Sequence, residues 1–288
     1  MNWIYLTLLA ITTRAMYGGI ATKVLSKDVK VSAITHSILL TTFASILSII
    51  ISPFVGGISF TGIESFYLSA LIMVLSQAFG NILFFKGIKY LDSGTTQIIF
   101  SSILIWGAIL SVAFLDSIFS TKQIVGILLM LFAILLVQYK KGGLDMNSGV
   151  LYVIASSILF AVFQVASANL SKVISTGAYL LMAYIGPSLI VGILYLKRII
   201  NDLHLLKQQI KESFLKTLFA SGTSMLYFVF SYLAYRYAPD RGVVVVLLTA
   251  QVVLSVIFGI IFLKEKDNQL KKVIAGALAF AAGIMIKS

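Results

Sequence analysis

The sequence predicts an all-α integral membrane protein with ten transmembrane helices, arranged as two inverted five-helix repeats. Three observations predict this fold: 59% of the residues are hydrophobic and only 11% are charged, ten apolar runs alternate with short charged connections, and a weak internal repeat recurs after about 146 to 150 residues. Water-soluble domains are about 45–50% apolar and about 25% charged. We therefore expect a multi-pass protein of the cell membrane.

The ten apolar runs have about the length that a helix needs to cross a bilayer, roughly 20 residues. They are continuously apolar rather than alternating, which excludes a β-barrel. The first run lacks the basic start and cleavage region of a signal peptide, so we expect it to be retained. The predicted spans are 3–22, 32–51, 66–85, 95–115, 123–139, 148–168, 178–196, 214–235, 242–263 and 273–286.

The connection between spans seven and eight, residues 197–213, is amphipathic. Apolar residues recur there at helical spacing, with basic and polar residues between them. This pattern predicts a helix on the membrane surface, its basic face toward anionic lipid headgroups. A solvated linker is the alternative.

The orientation follows from the positions of lysine and arginine. The connections after the odd-numbered spans hold sixteen of these residues, whereas the connections after the even-numbered spans and the C-terminal tail hold five. The excess of basic residues marks the cytoplasmic side. We therefore expect both termini on the outer side.

The internal repeat divides the chain into units 1–141 and 148–288. Because each unit contains five spans, an odd number, the two copies enter the membrane in opposite directions. Secondary transporters share this plan, with a substrate site at mid-membrane between the halves. The matching segments are 15–17 with 161–163, 89–91 with 236–238, 114–115 with 262–263, and 126–133 with 276–283.

With these features the chain resembles the drug/metabolite transporter (DMT) superfamily, in particular its EamA-type transporters. The resemblance covers the whole length and rests on Gly-Ile-Lys-Tyr-Leu at 87–91, Ala-Tyr-Arg-Tyr-Ala at 234–238 and Phe-Leu-Lys-Glu-Lys at 262–266. The chain departs from the family where Ser117 replaces an expected acid. It also lacks the basic residues that many relatives carry after span two.

Arg14 is the charged residue that lies deepest in a predicted span. A charge there costs roughly 2.5–3.5 kcal/mol on insertion scales and indicates a functional site. Every acidic residue falls in a connection or at a span end. We therefore expect Arg14 to face a wet cavity and to bind an anionic group of a substrate through paired hydrogen bonds. Alternatively, Arg14 packs against helix-end carbonyls or reaches an acid at a span end.

Uncharged polar residues form stripes at helical spacing in several spans. The resemblance implies that spans one, three, four, six, eight and nine line the central cavity. Alternatively, the same residues form hydrogen bonds between helices. The candidate substrate-binding residues are Arg14, Tyr17, Gln77, Asn81, Gln97, Ser101, Gln164, Tyr227, Ser231, Tyr235 and Gln251.

These observations favour a secondary active or facilitative transporter of a small polar or anionic metabolite, such as an amino acid or organic acid, by alternating access. A flippase or carrier for a phosphorylated lipid or sugar remains an alternative. Proton-coupled drug export is disfavoured, because an arginine cannot release a proton as the glutamate of small multidrug exporters does. The sequence contains no recognisable pair of a nucleophile and a base, so we do not expect an enzyme.

The chain also restricts cofactors and partners. It has no cysteine, two distant histidines and no phosphate-binding loop, so we expect no metal or organic cofactor. Its net charge is +12, but most of the charged residues lie in short connections between spans and do not form a basic groove for nucleic acid. The expected partners are a small-molecule substrate and membrane lipids. A small-residue ridge at Ala275, Ala279 and Gly283 suits either a second copy of the chain or packing within it.

Overall fold

The computed structural model describes residues 2–26, 29–91, 93–140, 143–144, 147–264 and 269–287, and most of them are helical. In the first half, α1 (Trp3–Ala15) continues through a π-helical segment (Met16–Ala21) into α2 (Thr22–Ser26); α3 (Ala33–Ile51), α4 (Tyr67–Gly87), α5 (Ser93–Phe100), α6 (Ile103–Leu115) and α7 (Thr121–Gln138) follow. Two-residue strands β1 (Tyr139–Lys140) and β2 (Gly143–Leu144) form a small antiparallel hairpin. The second half comprises α8 (Ser148–Leu170), α9 (Thr176–Leu194), α10 (Leu196–Asn201), α11 (Leu203–Tyr237), α12 (Arg241–Leu247), α13 (Gln251–Leu263) and α14 (Gln269–Lys287).

Six helices of the described part of the chain are long and apolar enough to cross a membrane. They correspond to predicted spans one, two, three, six, seven and eight, so the multi-pass membrane character is confirmed. Predicted spans four and nine are each broken, at Ser101–Ser102 and at the 3₁₀ turn Leu248–Ala250. Hydrophobicity alone predicted these two spans as continuous because the residues at both breaks are themselves compatible with an apolar run.

Side-chain caps explain where several of these helices begin. Asn2, Ser32, Asn147 and Ser175 each accept a hydrogen bond from a backbone N–H in the first turn of the helix that follows. Such caps satisfy N–H groups that have no partner inside the helix. In a bilayer an unsatisfied backbone group costs several kcal/mol, so these caps also set the ends of the spans.

The helix expected between spans seven and eight is present as α10 and the first part of α11. Ser213 breaks α11 with non-helical backbone angles (φ −124°, ψ 22°), at the boundary that the sequence predicted between the surface helix and span eight. Leu203 and Phe214 are exposed, whereas Gln209 and Ser213 are fully or nearly buried. The helix therefore turns a polar edge, not its apolar stripe, toward the rest of the protein.

Each half contributes one helix to every major helix pair. α1 packs on α11, α3 on α9, α4 on α8, α6 on α12, and α7 on α14. The ridge residues Ala275 and Ala279 are buried in the cluster between α14 and its neighbours in the same chain, so this part of the ridge serves packing within the chain. The motif residues Glu265 and Lys266 lie outside the described residues.

Candidate functional site

The candidate site begins at a change of helix type in the first span. After Ala15 the chain forms a π-helical segment, which contains Gly18 and Gly19. A Cβ on Gly19 would lie 3.0 Å from the Cα of Ser255, so glycine allows α13 to approach this segment closely. Gln97 Nε2 donates a 3.1 Å hydrogen bond to the Gly18 carbonyl, which the widened helix turn leaves available.

Arg14, two residues before the π-helical segment, is enclosed by aromatic rings. Its side chain is buried (4% exposed), and its Cζ lies 5.1–5.4 Å from four ring centroids, those of Tyr17, Phe100, Phe160 and Tyr227. Among the described residues, no carboxylate lies within ion-pair distance of it. The rings come from both halves of the chain and stabilise the cation by cation–π attraction.

Next to Arg14 lies a cavity between the two halves. Its free volume is about 10 Å³, which is about what one water molecule needs. Polar side chains from the first half and aromatic and hydroxyl side chains from the second half face each other across it. The lining residues are Arg14, Tyr17, Leu40, Thr41, Gln77, Asn81, Phe85, Phe160, Tyr184, Ser221, Ser224 and Phe228.

The structure brings six of the predicted site residues together around this cavity. Arg14, Tyr17, Gln77 and Asn81 line it. Tyr227 lies against the Arg14 guanidinium, and Gln164 Nε2 donates a 3.0 Å hydrogen bond to the Tyr227 hydroxyl.

The other five predicted residues are buried but do not line this cavity: Gln97, Ser101, Ser231, Tyr235 and Gln251. Gln97 contacts the π-helical segment, and Ser231 Oγ donates to the Phe228 carbonyl at 3.3 Å. These five side chains lie away from the cavity in this structure, and their role in substrate binding stays a prediction. A stripe defines one face of its own helix, whereas the packing of the neighbours decides what that face contacts.

Sequence reasoning missed several lining residues, above all the aromatic ones. Phe85, Tyr184 and Phe228 read as ordinary apolar positions in a membrane span. In the structure, Tyr184 stacks on Phe228 at a centroid distance of 5.0 Å, and its hydroxyl is 3.0 Å from Ser224 Oγ. The only available signal was the clustering of aromatic residues near polar ones in spans three, six, seven and eight.

Hydrogen bonds join both ends of helix α3 to the second half of the chain, one group on each side of the cavity. At its N-terminal end, Asp202 Oδ2 accepts hydrogen bonds from Thr35 Oγ1 (2.6 Å) and from the Ser32 backbone N–H (3.1 Å). Nearby, Gln209 Nε2 lies 3.2 Å from His36 Nδ1. We call this group the α3 N-terminal latch.

The electrostatics of the latch favour a charged Asp202. Burial alone would raise the pKa of this carboxyl, but the hydrogen bonds from Thr35 and Ser32 and the charge of Arg198 outweigh burial. Together they hold the pKa of Asp202 below its ordinary value. The latch therefore contains a carboxylate under ordinary conditions.

At the other end of α3, its following loop contacts the start of α9. Ser175 Oγ donates to the Gly57 carbonyl at 2.8 Å, and the Ser59 N–H donates to Ser175 Oγ at 2.8 Å. Ser52 Oγ donates to the Gly177 carbonyl at 3.1 Å. We call this group the α3 C-terminal latch.

Comparisons with known proteins bear on the family and on the fold. The model of the EamA-like transporter family matches residues 1–139, which confirms the predicted resemblance for this part of the chain. A solved structure described as "Crystal structure of protein" superposes with a TM-score of 0.70 at 14% identity, over 98% of this chain and 96% of that chain. At that identity the likeness concerns the fold alone. No curated protein matches the sequence.

Proposed function

We propose a substrate class for this membrane transporter, whose residues 1–139 belong to the EamA-like transporter family of the DMT superfamily. It carries a small polar or anionic metabolite, an amino acid or another organic acid, across the cell membrane. The substrate binds in the cavity beside Arg14. The two halves of the chain expose this cavity to the two sides of the membrane in turn.

The position of Arg14 carries the proposal. Its guanidinium has five N–H donors. The surrounding rings stabilise its charge by cation–π attraction, but they do not provide hydrogen-bond acceptors for all five donors in the plane of the guanidinium. The described residues supply no carboxylate partner. A carboxylate of a substrate would supply both the missing charge and a two-point hydrogen-bond acceptor. The cavity wall is thus complementary to an anion.

The same wall offers a place for an amino group. Gln77 lines the cavity, and its buried Oε1 accepts no hydrogen bond from the described residues. A buried acceptor without a donor costs about 1–3 kcal/mol, which a donor on the substrate would recover. A cationic guanidinium and an unsatisfied amide oxygen in one cavity fit the carboxylate and ammonium groups of an amino acid.

Two inverted five-helix repeats, with ten membrane-crossing segments in total, are the scaffold that we propose for this site. An inverted two-fold relation exchanges spans one and six, two and seven, three and eight, four and nine, and five and ten. It therefore requires the pair of spans one and eight to match the pair of spans six and three. The observed pairs α1–α11 and α8–α4 correspond to these two. The pairs α3–α9 and α7–α14 are of the kind that such an axis maps onto themselves, and it maps α6–α12 onto α5–α13, which is also observed.

Local features recur at the same offset and support the repeat. Among the described residues, the two non-glycine residues with positive φ are Asp116 and Lys264, 148 positions apart, and each ends a helix of the broken spans. The capping residues Asn2 and Asn147 begin the first helix of each unit. The helix ends recur after 148 positions and the caps after 145, close to the spacing of about 146 to 150 on which the proposed repeat rests.

Alternating access follows from the size of the cavity and from the two latches. Because the cavity holds about one water molecule, a metabolite enters only when the halves separate. Each latch joins α3 to the second half at one end of the bundle. We propose that the latches open one at a time. Disulfide formation in a Ser59→Cys/Ser175→Cys variant of this cysteine-free chain would then stop transport, and a reductant would restore it.

The test of the substrate class is a transport assay in proteoliposomes with radiolabelled amino acids, organic acids and phosphorylated sugars, together with cationic dyes. We expect an anionic or zwitterionic substrate to enter, and Arg14→Gln to weaken its binding by about 10- to 150-fold, the equivalent of one charged hydrogen-bond interaction of roughly 1.5–3 kcal/mol. Arg14→Lys keeps the charge but loses the planar geometry, so we expect intermediate binding.

The control is a matched polar residue in the same helix. Thr12 is exposed, and its hydroxyl bonds only to the Leu8 carbonyl, so Thr12→Ala should leave transport unchanged. Transport of cationic dyes that is unaffected by Arg14→Gln would refute the proposal and favour drug export. Transport of phosphorylated sugars alone would favour the carrier for phosphorylated compounds.

A further inference from the structure

A second site lies outside the cavity, at the end of α9. Here a notch of about 280 Å³ opens on the protein surface, lined by Leu194, Tyr195, Lys197, Arg198 and Asn201. This volume far exceeds the roughly 10–15 Å³ that one water molecule needs. The notch can therefore accept a chemical group of considerable size.

The backbone around the notch leaves the direction of the membrane span. Tyr195 has non-helical angles (φ −119°, ψ 23°) between α9 and α10, and Ser213 breaks the helix again before span eight. The segment between these breaks is therefore kinked against the spans on either side. This is the geometry of a segment that lies at the membrane interface.

The side chains at the notch separate into an apolar group and a basic group. Leu194, Leu196 and Ile200 are 56–60% exposed, which suits contact with acyl chains. Lys197 and Arg198 lie beside them and are exposed as well. This combination of apolar and basic side chains on a short segment is typical of binding to a charged interface.

The charge around the notch is positive. Lys207 and Lys211 extend the exposed basic surface along α11. Of the two acids in this segment, Asp202 is buried in the α3 N-terminal latch, and Glu212 forms a 2.9 Å ion pair with Lys30. The surface therefore attracts an anion, and the apolar side chains beside it favour an anion that also carries hydrocarbon.

We propose that the notch binds the phosphate headgroup of an anionic phospholipid, with Lys197, Arg198 and Asn201 as the ligating side chains. The acyl chains lie along Leu194, Leu196 and Ile200. This site is independent of Arg14 and of the substrate. It holds α10 and the start of α11 at the membrane interface, where α11 supplies Gln209 to the α3 N-terminal latch.

The test measures lipid binding to the intact purified protein in detergent by native mass spectrometry, with phosphatidylglycerol and phosphatidylcholine as probes. We expect tighter binding of phosphatidylglycerol. Each basic side chain at an anionic surface contributes about a factor of five, so Lys197→Gln should weaken binding about fivefold and Lys197→Gln/Arg198→Gln about 25-fold.

The matched control is Lys172→Gln. Lys172 is exposed and precedes the other end of α9, about 28 Å away along a helix of 19 residues, so this variant should bind phosphatidylglycerol as the parent does. The single variant Lys197→Gln retains the Arg198–Asp202 contact and keeps the test valid if the double variant does not fold. Equal binding by Lys197→Gln and the parent, or equal losses in Lys172→Gln, would overturn the proposal. Competition by inorganic phosphate at matched concentration would overturn it too, since the site would then be one for soluble anions.

Discussion

Replacing Asp202 by alanine should destabilise the protein by opening the α3 N-terminal latch. The Asp202 carboxylate accepts two short hydrogen bonds, from Thr35 Oγ1 at 2.6 Å and from the Ser32 N–H at 3.1 Å, and the residue is 8% exposed. A hydrogen bond to a charged group contributes about 1.5–3 kcal/mol. Because water can reach the partly buried donors after the substitution, the lower value applies to each bond, and the expected loss is about 3 kcal/mol.

The assay is thermal unfolding in detergent, followed by tryptophan fluorescence. For a chain of this size, about 3 kcal/mol corresponds to a decrease in melting temperature on the order of 10 °C. Asp202→Asn keeps an acceptor oxygen and should lose about half as much. Arg198→Gln is the control: its Nε is 3.8 Å from Asp202 Oδ2 and its side chain is 58% exposed, so the loss should be under about 1 kcal/mol.

The pH dependence of the same variants separates the charge from the packing. The pKa of Asp202 is lower in the folded protein than its ordinary value, which is about 4 in an unfolded chain. The stabilisation is therefore complete above about pH 4 and is lost as the pH falls through the folded-state pKa. The difference in melting temperature between the parent and Asp202→Asn should be constant from pH 5 to 8 and shrink below pH 4. A melting temperature of Asp202→Ala within about 2 °C of the parent at pH 7, or a difference that persists undiminished at low pH, would refute this reasoning.

Two further predictions concern packing and hydrogen bonding. Gly177→Ala should destabilise the protein by about 1–3 kcal/mol, because its Cβ would clash with the backbone carbonyl of Gly57, whereas Gly192→Ala in the same helix has open space and should be neutral or stabilising in thermal unfolding. Tyr232→Phe should lower the free energy of unfolding by about 1–3 kcal/mol, since its hydroxyl donates to the carbonyl of Leu170 at the end of α8 (3.0 Å) and to that of Ile174 in the following turn (3.1 Å). Tyr235→Phe is the matched comparison, because the buried Tyr235 hydroxyl has no hydrogen-bond partner, and equal melting temperatures of the two tyrosine variants would contradict this reading.

The sequence was sufficient for the membrane character, for the family resemblance of residues 1–139 and for the approximate positions of six spans. It also separated the amphipathic segment before Ser213 from span eight at the correct residue, because the basic and polar residues before Ser213 give way to a mostly apolar run from Phe214 onward. Hydrophobic periodicity reports which residues avoid water, and in a bilayer that signal is strong. It carries no information on helix type, so the π-helical segment Met16–Ala21 could not be predicted.

The candidate site was predictable only in part, for a physical reason. Arg14 was identifiable because a charge in a membrane span is costly and rare. Gln77 and Gln97 have the same polarity, and among the described residues neither Oε1 has a hydrogen-bond partner. The structure nevertheless places Gln97 Nε2 on the Gly18 carbonyl and Gln77 beside the cavity. A polar side chain can form a hydrogen bond to the backbone of a neighbouring helix or can face a cavity. Helix packing decides between the two, and the residues around one position in the sequence do not reveal that packing.

The proposed repeat explains why one half alone supplies the cation. The alignment of 15–17 with 161–163 places Arg14 opposite Phe160, and the structure brings these two residues into contact, with Arg14 Cζ 5.4 Å from the Phe160 ring centroid. Equivalent residues that touch lie next to the axis that relates them. Two arginines there would repel each other at short range and double the cost of burying charge. A cation from one half and an aromatic ring from the other avoid both costs. In the proposed mechanism they would hold an anionic substrate group against the same side of the cavity in both access states.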